Sequence, residues 1–180
     1  MTTQTQSKWT IDPAHSEIQF KIKHLVISTV TGYFRSFEGS VESVSEDFEN
    51  AQIRFSADVN SIDTNNEQRD GHLKSDDFFG AEQFPTLTFA SSSFKKVSGD
   101  DYELKGNITL KGTTKEITLK VELGGKAVDP YGNQKAGFEI NGKLNRKDFG
   151  LNWDAVTEAG GIVVSDEVRL HLNVQINKQA

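Results

Sequence analysis

A period of two dominates this sequence. From Glu17 to His24 apolar and polar residues alternate without a break, so Ile18, Phe20, Ile22 and His24 share one face and Glu17, Gln19, Lys21 and Lys23 the other. Successive side chains of a strand point to opposite faces, so the pattern specifies a β-strand with one buried side. The same period returns over Ala51 to Asn60, Tyr102 to Lys111, Glu116 to Glu122, Gly137 to Leu144 and Glu167 to Ile176. Thr86 to Ser92 carries it more briefly, and Thr31 to Glu42 reads as one strand interrupted by Gly32 and Gly39, as where a strand bends at a barrel corner. Lys111-Gly112-Thr113-Thr114 joins two of these runs into a hairpin, and Asp129-Pro130-Tyr131-Gly132-Asn133 is a further turn.

The rhythm breaks between Thr64 and Pro85. Thr64-Asn65-Asn66-Glu67 has the form of a capping box, which predicts Thr64 as the N-cap of a helix running towards Lys74. Ser75-Asp76-Asp77-Phe78 offers a second cap, and Pro85 ends the excursion. A short helical crossover around residues 64–80 is therefore expected, with Phe78, Phe79 and Phe84 packed on the sheet as a plug.

About eight long strands with one apolar face each, joined mostly by short turns, predict an all-β fold. An extended eight-stranded antiparallel β-barrel buries those faces and removes exposed edges together; a two-sheet sandwich is the competing solution. A chain of 180 residues suits one domain, here 9–178, after a polar segment 1–8 expected to be flexible. A barrel of this strand number can be filled by side chains or can hold one small ligand. The inward set mixes Phe20, Phe34, Phe55, Phe89 and Phe138 with Ala51, Ala57, Gly106 and Gly142, a composition compatible with either.

Several function classes are disfavoured. Without cysteine there is no thiol nucleophile, cysteine zinc site or iron–sulfur cluster. A formal charge of −6 gives no general attraction to nucleic acid or to anionic membrane surfaces. No apolar run reaches the roughly 18 residues that span a bilayer, so stable membrane insertion is not expected. The first eight residues have no basic and apolar segments of a secretory signal, from which a cytoplasmic location is expected, with a periplasmic one the alternative if a signal has been removed. Asp148-Phe149-Gly150 lacks every other part of a kinase, and His15-Ser16-Glu17 lacks the cysteines of a zinc deaminase. His15, His24, His72 and His171 show no metal-ligand spacing, so no metal is expected. No acid, base or nucleophile is set in an apolar context, so the chain is not expected to be an enzyme. Polar groups that could meet a ligand head are His24, at the inward end of its strand, and Arg69 with His72, one helical turn apart on the crossover.

Beyond these readings the order of motifs resembles a known family. Trp9-x-Ile11-Asp12-Pro13-x-His15-Ser16-x-Ile18-x-Phe20, then His24 and Gly32-x-Phe34, begin the match. Arg69-Asp70-x-His72-Leu73-x-Ser75-x-Asp77-Phe78-Phe79, Phe84-Pro85-x-x-x-Phe89, Gly106 to Lys115 and Arg146-x-Asp148-Phe149-Gly150 continue it, and together they resemble the YceI family from Trp9 to near Ile176. Gly80 departs from the Asp common at that position in the family. The resemblance implies a lipocalin-like barrel that binds a polyisoprenoid or isoprenoid-quinone-like lipid along its axis. No cofactor is then required beyond that lipid. The expected lining is Ile18, Phe20, Ile22, Phe34, Ile53, Phe55, Phe89, Leu104, Ile108, Leu119, Phe138, Ile140, Leu170 and Leu172, with His24, Arg69 and His72 as head-group candidates. Alternatives are a carrier of fatty acids or fatty amides, or a filled barrel serving as a protein-interaction module. Exposed strand edges leave room for a homodimer.

Overall fold

The computed structural model describes residues 6–24, 27–152 and 164–179. Its strands are β1 (Ser7–Ile11), β2 (Glu17–His24), β3 (Ser28–Phe34), β4 (Phe37–Ser43), β5 (Gln52–Asp58), β6 (Ile62–Asp63), β7 (Thr86–Ser98), β8 (Asp101–Leu110), β9 (Thr113–Val128), β10 (Gln134–Asn145) and β11 (Val164–Lys178). One α-helix, α1 (Glu67–Lys74), lies between β6 and β7 among the described residues. All pairings are antiparallel, and the order β1-β4-β5-β7-β8-β9-β10-β11 returns to β1, closing an eight-stranded barrel. Closure leaves these strands no free edge.

The barrel is longer than any single strand at its closing seam. β11 pairs with β1 over Ile176 to Lys178 and with β2 over Val164 to Asn173, so β1 and β2 are two lengths of one interrupted strand. Their partners follow suit, with β4 on β1 and β3 on β2. The run Thr31 to Glu42, expected as one strand, is thus broken at Arg35 and Ser36. β1 itself was not expected: Ser7 and Lys8 belong to it rather than to a loose leader, and Met1 to Thr5 lie outside the described residues. β6 pairs only with β3 among the described residues, and α1 follows it to cover that side.

Alternation explains why each strand lies as it does. Ile18, Phe20, Leu104, Ile108, Leu119 and Ile176 are buried, while Glu17, Glu103, Lys120 and Asn173 are exposed. The β8–β9 hairpin is tighter than its four-residue signature: Leu110 pairs with Thr113, leaving Lys111 (φ 49°) and Gly112 (φ 76°) as the turn. Two successive positive φ angles match the right-handed twist of the flanking strands.

The helix cap is corrected. Asn66, not Thr64, is the N-cap, its side-chain oxygen accepting from the Arg69 amide at 3.0 Å. Thr64 instead donates its amide (2.8 Å) and hydroxyl (2.5 Å) to Asp70 Oδ1, so the carboxylate of Asp70 takes the place that Glu67 would have in the box. Ser75 caps the C-terminus of α1 rather than starting a second helix. One end of the barrel is closed by an aromatic floor. Phe48, 1% exposed, meets Trp9 with ring centroids 5.2 Å apart and Phe138 at 5.4 Å, both edge to face.

Candidate functional site: the barrel cavity

Above that floor the interior is hollow. A cavity of about 550 Å³ runs within the barrel, lined by side chains from nearly every strand and roofed on one side by α1 and Phe78 and Phe79. This is within the range of small-molecule pockets, roughly 300–1,000 Å³. The hollow removes the premise of a filled barrel.

Its emptiness has a local cause. Gly32 stands opposite Phe20 in the β2–β3 ladder, and the Phe20 ring lies flat over it. A Cβ at Gly32 would sit 2.2 Å from Phe20 Cζ, so only a residue with no side chain lets the ring rest on the wall. Gly106 serves Phe89 in the same way, its hypothetical Cβ falling 2.4 Å from Phe89 Cζ. Rings that lie along the wall leave the axis open. The same rings pointing inward would occlude it.

Of the residues expected to line a tunnel, Ile18, Phe20, Ile22, Phe34, Ile53, Phe55, Phe89, Leu104, Ile108, Leu119, Ile140, Leu170 and Leu172 do line the cavity. Phe138 does not; its ring is part of the floor, against Phe48. Alternation placed it on the correct face but could not give its height along the axis. Sequence reasoning missed Leu73, Leu144, Leu151 and Val164 in the lining, and with them Arg146. Phe78 and Phe79, expected to pack on the sheet as a plug, face the cavity, Phe79 meeting Phe34 with centroids 6.0 Å apart.

Polar groups gather where α1 meets the barrel and around Arg146. Gln68, Arg69 and His72 reach the cavity from α1. Arg69 donates from Nε to Thr64 Oγ1 (2.8 Å) and from Nη2 to the Thr64 carbonyl (2.6 Å). His72 Nε2 lies 2.8 Å from Asp77 Oδ2, and its ring meets Phe78 edge to face. His24 ends β2, but its side chain lies outside the described residues. Arg146, 2% exposed, donates to the carbonyls of Ser165 (2.9 Å), Leu151 (2.6 Å) and Val164 (3.3 Å), which ties the turn after β10 to the start of β11. Its only sequence signal was a place in the last family motif.

Groups with displaced proton affinities lie away from this lining. Asp12 is held below the usual carboxylate range chiefly by its hydrogen bond with His15, and Asp47 by its bond from Ser45. Burial pushes the Tyr102 hydroxyl up, with Asp47 adding to it. Among the described residues no cluster of three or more His, Asp or Glu is arranged to hold a metal ion.

A family profile described as the YceI-like domain matches residues 9–176. The chain belongs to the YceI-like family. Among its YceI-like relatives, a UPF0312 protein of Staphylococcus aureus is 36% identical over 172 residues, spanning 95% of this chain and 98% of the relative. The crystal structure of a Campylobacter jejuni YceI protein superposes with a TM-score of 0.76 at 31% identity, covering 100% of both chains. Burkholderia cenocepacia BcnA gives a TM-score of 0.79 at 22% identity, over 92% of this chain and 98% of its own. A Saccharophagus degradans domain described as polyisoprenoid binding gives 0.62 at 16%, over 93% of this chain and 97% of its own. These last two likenesses are of fold.

Proposed function

We propose that this YceI-like barrel binds and carries a long apolar lipid, an isoprenoid chain foremost, and that it acts by sequestration rather than by making or breaking bonds. The observation that carries this reading is the preformed apolar hollow of about 550 Å³. At roughly 30 Å³ for each small group, it accommodates on the order of fifteen to twenty carbon atoms, or three to four isoprene units. Each buried methylene contributes about 0.8 kcal/mol, so one isoprene unit of five carbons supplies roughly 4 kcal/mol gross. A few units then exceed the cost of immobilising the ligand, which is on the order of 4–15 kcal/mol. The fold likeness to a domain described as polyisoprenoid binding supports an isoprenoid over other tails.

The test is organic extraction of the purified protein with mass spectrometry of the extract, followed by titration of the delipidated protein with an isoprenoid alcohol. A stoichiometric prenyl lipid supports the proposal. A straight-chain acid or amide, held to the exclusion of prenyl chains, replaces the isoprenoid by a fatty ligand. Failure of the delipidated protein to bind either kind of chain overturns carriage altogether.

A further inference from the structure

The charged residues of the cavity lining are of one sign. Lys23, Arg54, Arg69 and Arg146 belong to it, joined by His72, and neither an aspartate nor a glutamate does among the described residues. The chain as a whole has the opposite balance, 26 acidic residues against 20 basic. Lys23 and Arg54 are exposed, so the cations able to act on a bound molecule away from bulk water are Arg146 and the half-buried Arg69.

These two arginines are placed differently. Arg146 has Asp166 Oδ1 3.6 Å away and is committed to the wall's carbonyls. Arg69 is bonded to the hydroxyl and carbonyl of Thr64, both neutral, and among the described residues no carboxylate comes within ion-pair distance of it. Asp70 is its neighbour in sequence, but Asp70 Oδ1 is occupied by Thr64, which stands between the two. A guanidinium offers five N–H donors in a rigid fork, more than Thr64 takes up. Arg69 therefore presents an unneutralised cation at the α1 side of an apolar cavity, with its position fixed by Thr64.

We infer that the head group of the ligand is anionic, a carboxylate or a phosphate, and that Arg69 is its partner. The inference rests on the reading of the barrel as a carrier of a long apolar chain. Attraction between unlike charges strengthens as the surroundings become less polarisable, and hydrogen bonds from a cation to an anion are about twice as strong as neutral ones. An amide, alcohol or quinone of the same tail would fill the hollow equally well but leave Arg69 unmatched. The overall charge of −6 opposes approach of an anion only weakly, because free charges are screened beyond about 8–10 Å in ordinary buffers. Selection by Arg69 is a contact effect.

The experiment uses the full chain after delipidation and measures displacement of a fluorescent apolar probe by pairs of molecules sharing a tail. Palmitate is compared with palmitamide, and farnesyl phosphate with farnesol, in the wild type, Arg69→Gln and Arg69→Lys. The anionic member of at least one pair is expected to bind about tenfold more tightly than the neutral one. That ratio collapses towards one in Arg69→Gln and is largely kept in Arg69→Lys. Whichever pair shows the larger ratio identifies carboxylate or phosphate as the head. Equal affinities within both wild-type pairs overturn the inference while leaving the carrier reading intact, and a preference that survives Arg69→Gln overturns the assignment to Arg69. Displacement by no member of either pair removes the carrier reading itself.

Discussion

The contact between Gly32 and Phe20 permits a test of what keeps the barrel hollow. In Gly32→Val the new Cβ would fall 2.2, 2.6 and 2.8 Å from Cζ, Cε1 and Cε2 of Phe20. Comfortable carbon contacts begin near 3.5 Å, so the ring must retreat by more than about 1 Å. Its three nearest obstacles are all atoms of that one ring, and the open direction is the lumen. A phenyl group turned inward takes the place of about one isoprene unit, so an isoprenoid of about twenty carbons should lose roughly 4 kcal/mol of contact, near three orders of magnitude in Kd. Folding should suffer less than about 1.5 kcal/mol, because the ring moves into a void rather than into packed neighbours, and valine is well suited to a strand. Gly106→Val makes the contrast. There the added Cβ also meets the Ala90 carbonyl oxygen at 2.6 Å, so the backbone between β7 and β8 must part and a loss of about 2–4 kcal/mol is expected. Urea unfolding of the delipidated proteins gives the stabilities, and titration with geranylgeraniol gives the affinities. An unchanged affinity in Gly32→Val, or a stability loss above about 3 kcal/mol, would refute the account of glycine as the origin of the hollow.

Three further outcomes follow from other contacts. Arg146→Met removes the donor that serves the Leu151, Val164 and Ser165 carbonyls and should cost more than about 3 kcal/mol in urea unfolding; a loss under 1 kcal/mol would mean that water replaces it freely. Asp12, bonded to His15, titrates below its unfolded value, so its contribution to stability is present above about pH 4 and lost as pH falls through the folded pKa. Asp12→Asn should therefore flatten the acid limb of a stability–pH curve, and an unaltered limb would contradict this. Tyr102 is shifted the other way by burial, so its contribution persists below about pH 10 and is lost as pH rises through the higher folded value. Tyr102→Phe should remove that alkaline loss while costing about 1 kcal/mol at neutral pH, since the hydroxyl donates to the Asp47 carbonyl at 2.5 Å; an alkaline limb as steep as the wild type's would exclude Tyr102 as its source.

Alternation made the faces legible because it is a property of each strand alone. Ile18, Phe20, Leu170 and Leu172 could be turned inward without knowing what they pair with. What needed the partner was not legible. Five residues at Ser7–Ile11 carry too little pattern to announce a strand, yet β1 closes the barrel by pairing with β4 and β11. Thr64 looked like a cap because the signature spans four residues, whereas its true acceptor, Asp70, lies six away. Arg146 could not be read as buried, because the carbonyls that hold it belong to Leu151 and to the beginning of β11. Gly32 reads as a bend and Gly106 as a small member of the inward set, but their use as resting places for rings depends on cross-strand register. The sign of the cavity's charge emerged only once its lining was assembled.

The aromatic floor has a consequence for how the molecule answers to its surroundings. Trp9, Phe48 and Phe138 fill their part of the barrel interior with ring-to-ring contacts and stay out of the cavity lining, so the space open to a guest is only a portion of the interior. A guest that is bound by the native barrel and not by the unfolded polypeptide stabilises the fold by mass action, by about 2.7 kcal/mol at a hundredfold excess over Kd, and so raises the melting point. Thermal denaturation thus becomes a gauge of occupancy, and an emptied barrel should melt below a filled one.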